Sequence, residues 1–149
     1  MLSFVPLLML VFGVVGSVKG WRELQLARRS TAWPSTPGEV VASAVEHESH
    51  DGSRSYRTAI SYRYRVDGTL YTSEHVSFGY IFTQSWDSRR LARDRSAGYP
   101  VGRAVAVFYN PAAPQIAALE PGINRGTWQG LVLPIGLLVV GLLSVVGWQ

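Results

Sequence analysis

The sequence predicts a mainly β domain held between two transmembrane helices, the domain being a small antiparallel sheet or partly open barrel with one short helix against it. Two observations carry this. Every Lys, Arg, Asp and Glu lies between Lys19 and Arg125, which leaves both ends apolar and uncharged. Within the charged middle, Tyr56 to Val66 alternates apolar and polar residues with a period of two. A chain of 149 residues has room for one compact core with its attachments.

The first element, residues 1–20, reads as an N-terminal transmembrane helix. Leu2 to Val18 carries no charge, and Lys19, Trp21 and Arg22 follow as an interfacial stop. A cleaved secretory signal would place basic residues before the apolar run and an A-x-A-like site after it; neither is present, so an uncleaved anchor is expected. Gly13 and Ser17 form a small-xxx-small pair that suits close approach of another helix, such as the C-terminal span, although lipid-facing glycines are the simpler reading. Residues 21–35 form a juxtamembrane linker, in which Trp21 to Ala32 prolongs the helix until Trp33-Pro34-Ser35-Thr36-Pro37-Gly38 breaks it.

The β-rich domain is expected over residues 36–122. Glu39 to Glu46 supplies a first strand. In Tyr56 to Val66 the even positions are mostly apolar or aromatic and the odd ones include Arg57, Arg63 and Arg65. Asp67-Gly68 accepts the positive φ angles of a two-residue type I′ turn, and β-formers resume from Thr69 to Phe78. That register sets Val66 opposite Thr69, Tyr64 opposite Tyr71, Tyr62 opposite Ser73 and Ile60 opposite His75, with the tyrosines inside and the arginines outside. Thr83 to Ser96 reads as a short helix before the Gly98-Tyr99-Pro100 turn. Val101 to Tyr109, apolar on both parities, reads as an interior strand, and Gln115 to Leu119 as a short edge.

Residues 126–149 read as the C-terminal transmembrane helix. Trp128 and Trp148 bracket an uncharged stretch, and twenty helical rises separate them by roughly 30 Å, the thickness of a hydrocarbon core. Tryptophan favours the two interfaces of a bilayer. Basic residues lie just inside both spans (Lys19, Arg22, Arg28, Arg29 and Arg125), while the tails have none, so the positive-inside rule puts the central domain in the cytoplasm.

Several pieces in order resemble the bacterial domain-of-unknown-function family 3592 over Trp33 to Gly122. They are Trp33-Pro34 with Thr36-Pro37-Gly38-Glu39-Val40, Tyr62-Arg63-Tyr64-Arg65-Val66-Asp67-Gly68 with Tyr71, Tyr99-Pro100-Val101-Gly102, Val107-Phe108-Tyr109-Asn110-Pro111 with Pro114, and Leu119-Glu120-Pro121-Gly122. The resemblance implies membrane attachment and carries over no catalytic residue. Most of these pieces are turn chemistry and core tyrosines, which describe a fold and not a reaction.

Composition narrows the function. Fourteen basic against ten acidic residues give a net charge of +4, but the arginines are scattered among other residue types instead of forming the basic block that nucleic-acid binding calls for. Without cysteine there is no disulfide, thiol nucleophile or thiolate metal site. His47, His50 and Asp51 are the metal-ligand candidates, but H-E-x-H falls one residue short of the helical H-E-x-x-H, and an odd step on a strand separates the imidazoles. A solvated turn is the simpler reading. His75 has Glu74 beside it, on the opposite face of a strand. No catalytic motif and no cofactor site is legible. The expected function is therefore a two-pass integral membrane protein whose β-domain is a binding or assembly module, a membrane-bound hydrolase or metal-dependent enzyme being the alternative. The candidate binding face is Arg57, Arg63 and Arg65, and its expected partners are anionic lipid headgroups or another membrane protein.

Overall fold

A computed structural model describes residues 4–50, 53–79 and 89–146. The chain opens with helix α1 (Phe4–Ser30), which runs without a break through the expected juxtamembrane segment and ends before the Pro34 cluster. Five strands follow: β1 (Ser35–His50), β2 (Ser53–Val66), β3 (Thr69–Ser73), β4 (Ala104–Asn110) and β5 (Ala113–Ala118). Helix α2 (Arg89–Gly98) lies between β3 and β4, and helix α3 (Arg125–Val146) ends the described chain.

The strands form one antiparallel sheet in the order β3-β2-β1-β4-β5, with β4 in the interior as expected. The sheet curls until its edges meet. The Leu119 and Glu120 amides donate to the Val76 carbonyl at 3.0 and 2.7 Å, so backbone bonds just past the ends of β3 and β5 nearly close a barrel. Tyr62, Tyr64, Val66, Val107, Ala117 and Leu119 fill its interior. The β2–β3 hairpin has the register the alternation predicts, Tyr62 opposite Ser73, Tyr64 opposite Tyr71 and Val66 opposite Thr69. Its turn puts Asp67 at φ 48° and Gly68 at φ 81°, the two positive angles of a type I′ turn.

Three expectations about element ends are corrected. β1 continues to His50 and β2 starts at Ser53, so the first hairpin is longer than the sequence suggested. β3 stops at Ser73, and Ile60 has no partner at His75. The chain leaves the ladder because Phe78 is buried in a second core with Ala27 and Ala118, against Trp33, on the flank of α1. Helix α2 reaches Gly98; the start expected at Thr83 lies outside the described residues.

α1 and α3 pack as an antiparallel pair. A Cβ added to Gly13 would press on Leu138, one at Gly16 on Pro134 and one at Gly20 on the Gly130 carbonyl. Pro134 has no N–H, so the Gly130 carbonyl four residues earlier has no helical donor. That oxygen faces Gly20, where any side chain would collide with it. Gly13 thus faces the other helix, whereas the Ser17 hydroxyl is buried without a partner among the described residues. α3 is long and apolar enough to cross a membrane, over Thr127–Val145 at mean hydropathy 2.0, and only 17% of that stretch is buried within the protein.

Candidate binding surface

Alternation along β2 sorts its side chains. Tyr62 and Tyr64 are buried, while Arg63 and Arg65 project, exposed, from the other face. The ladder sets Glu39 opposite Arg63 and Glu46 opposite Arg57, so two of the three arginine positions face an acidic position across the strand. Only the backbone of Arg57 is described. Arg65 is opposite Leu70, which is itself 54% exposed, and its carbonyl accepts the Thr36 hydroxyl at 2.9 Å. Among the described residues neither Arg63 nor Arg65 forms an ion pair. Glu74 is occupied elsewhere, accepting the Ser61 hydroxyl at 3.1 Å.

The histidine cluster is placed by backbone alone. His47 pairs with Tyr56 and His50 with Ser53, in a ladder without irregularity from Ala42 to the hairpin end, so the two histidines stand an odd number of positions apart on one regular strand. Asp51 lies outside the described residues. Among those residues no three His, Asp or Glu side chains converge on a possible metal position. His75 is exposed beyond the end of β3 with its ring stacked near Phe78, while Glu74 accepts the Ser61 hydroxyl.

Two features escaped the sequence. The first is the junction where the loop after β3 meets both helices. The Tyr62 hydroxyl donates to the His75 carbonyl at 2.7 Å and lies 3.1 Å from that of Ala117. The Thr127 hydroxyl of α3 donates to the Phe78 carbonyl at 2.9 Å, and the Gly79 amide donates to the Glu23 carboxylate of α1 at 3.1 Å. Gly79 has φ 95°, and a Cβ there would overlap the Thr127 backbone. Asn124 caps α3, its side-chain oxygen accepting from the Thr127 amide at 2.9 Å, while the Thr127 hydroxyl accepts from the Asn124 amide at 3.2 Å. The Ser30 hydroxyl ties the other end, accepting from the Gly122 amide at 2.9 Å. The Asn124–Thr127 cap is local, but nothing local marks the bonds from Thr127 to Phe78, Glu23 to Gly79 and Ser30 to Gly122, because those partners lie tens of positions apart.

The second is a polar cluster at the end of α2. The Tyr99 phenol donates to Glu120 at 2.7 Å, and Arg103 sits over the Tyr99 ring while donating to the Gly98 carbonyl. Burial, then the Glu120 contact, pushes the Tyr99 phenol well above its ordinary range. Burial lowers the Arg95 guanidinium, against the attraction of Glu120. Burial also raises the phenol of Tyr62, so Tyr99 and Tyr62 both stay neutral donors.

The family model described as a domain of unknown function (DUF3592) covers residues 36–124, from the second residue of β1 to the cap of α3. No curated protein matches the chain.

Proposed function

Since the chain belongs to the family of domain of unknown function DUF3592, with the matched region forming the β-domain, we propose that it is a two-pass membrane protein whose β-domain is a membrane-anchored binding or assembly module. The observation that carries this is apolar exposure. Away from the face where α1 and α3 pack together, both helices turn large apolar side chains outward: Val11, Phe12 and Val15 on α1, Leu133, Leu142 and Leu143 on α3. In water such a surface would be a severe liability, whereas a bilayer covers it without cost. The basic residues beside the spans support a bacterial cell membrane with the domain on its cytoplasmic side. Exposed Arg63 and Arg65 support an anionic partner for the sheet, either headgroups or the acidic face of another membrane protein.

The absence of native cysteine makes the test direct. Single cysteines at Phe12 and Leu143 should resist a membrane-impermeant maleimide in native membranes and react after detergent, while a cysteine at Arg65 should react from one side only. Labelling of Phe12→Cys as fast as Arg65→Cys, or release of the chain by carbonate, would refute the two-pass reading. Loss of a co-purifying protein in mild detergent on Arg63→Gln/Arg65→Gln is the expected sign of the module.

A further inference from the structure

We infer that α1, where it leaves its apolar stretch, carries a binding surface for anionic phospholipid headgroups made of Lys19, Arg22 and Arg29, with Arg28 at its side. This rests on the two-pass reading. Gly20 against Gly130 brings Trp21 and Trp128 to the same height, and their indoles are 52% and 51% exposed. Exposed tryptophans at a shared level mark the headgroup layer. Steps of three and seven residues put Lys19, Arg22 and Arg29 on one side of the helix. Arg29 stands roughly 12 Å beyond Trp21 along the axis, more than the ~8 Å screening length of physiological salt, and the lean of helical side chains toward the N-terminus shortens that gap.

All four cations are exposed, and among the described residues none has an ion-pair partner. The segment has one acid, Glu23, and it is half-buried and turned inward to the Gly79 amide. The outward charge is therefore of a single sign just where a bilayer would present phosphates. On the sheet, by contrast, Arg63 stands opposite Glu39. Charge complementarity thus favours headgroups at the helix over headgroups at the sheet.

The test uses the full chain reconstituted in equal parts of phosphatidylglycerol and phosphatidylcholine, with the lipids retained in mild detergent counted by native mass spectrometry. The wild type should retain the anionic lipid several-fold over the neutral one, each cation contributing at most about fivefold. Lys19→Gln/Arg22→Gln/Arg28→Gln/Arg29→Gln should retain both lipids equally. The charge-conserving Lys19→Arg/Arg22→Lys/Arg28→Lys/Arg29→Lys and the sheet variant Arg63→Gln/Arg65→Gln should both keep the preference. No preference in the wild type, a preference surviving in the glutamine variant, or an acidic protein retained in place of lipid would overturn the inference. Failure of the wild type to enter the bilayer would instead sink the two-pass reading, so the two outcomes are distinguishable.

Discussion

Gly79 and Tyr62 show how much single residues hold in this protein. Gly79 combines a left-handed backbone with a neighbour whose main chain leaves no space for a side chain, whereas Gly68 has the same backbone sign and open space around it. Gly68→Ala should therefore cost about 1 kcal/mol, the conformational term alone, and Gly79→Ala about 3 kcal/mol or more, because Thr127 must also move. Thermal unfolding of the two variants in one detergent measures the difference. Tyr62 bridges the barrel through its hydroxyl, and Tyr62→Phe leaves the His75 carbonyl without its donor, a loss of about 1 to 2 kcal/mol. Its phenol also sets a pH dependence. A folded-state pKa raised above the ordinary 10.0 means that the native state holds the proton more tightly than the unfolded one. That contribution is fully present below pH 10 and is lost as pH rises from there, so Tyr62 should add a fall in stability beyond about pH 9. The fall should be shallower in Tyr62→Phe, as followed by unfolding at stepped alkaline pH. Tyr62 was legible as an inward residue from its parity on β2. Its two carbonyl partners were not, because His75 and Ala117 come together only when the sheet curls.

Elements report a similar division. Alternation and an Asp-Gly turn sufficed for the turn and for the register from Val66–Thr69 to Tyr62–Ser73, since both are local properties of pleat and φ sign. The break in α1 followed from proline. What escaped was set by long-range demand: β3 ends early because Phe78 is drawn toward Ala27, and β1 runs on to His50 because β2 pairs with it from Gly38 to the hairpin end. Of the candidate face, the outward parity of Arg63 and Arg65 was legible, but the opposing Glu39 was not, because a bulge between Val40 and Ala42 shifts the pairing. The helix pair extends the lesson. Gly13 was recognisable as half of a small-residue pair, yet the closest approach is at Gly20, the last residue of the expected span, where no small-residue pair was read. Gly20→Leu should force α1 away from the uncovered Gly130 carbonyl and lower thermal stability by about 2 kcal/mol or more. Gly136→Leu, on the same scale, should be neutral or slightly stabilising, because nothing lies within 4 Å of that glycine and leucine is the better helix former. Equal effects of the two would mean that the helices do not pack through this face.

For the whole molecule, the consequence is that the β-domain and the helix pair are not separate units joined by linkers. Ala27 of α1 forms part of a core with Phe78 and Ala118, and Thr127 of α3, Glu23 of α1 and Ser30 of α1 satisfy backbone groups at Phe78, Gly79 and Gly122. The same loop carries Val76, whose carbonyl takes the two amides that close the barrel. Removing the helices therefore removes the support of the seam. A fragment of residues 33–122 should retain the β1–β2–β3 ladders, whose bonds are internal to it, but lose protection at the seam. Hydrogen exchange by mass spectrometry checks this: peptides covering Leu119, Glu120 and Gly79 should exchange at least about tenfold faster in the fragment than in the full chain, corresponding to roughly 1.4 kcal/mol of lost local stability. Peptides covering Tyr62 to Val66 should change much less. Uniform slowing or uniform loss across the fragment would contradict a seam held by the helices, and a fragment protected like the full chain would leave the helices no part in holding it.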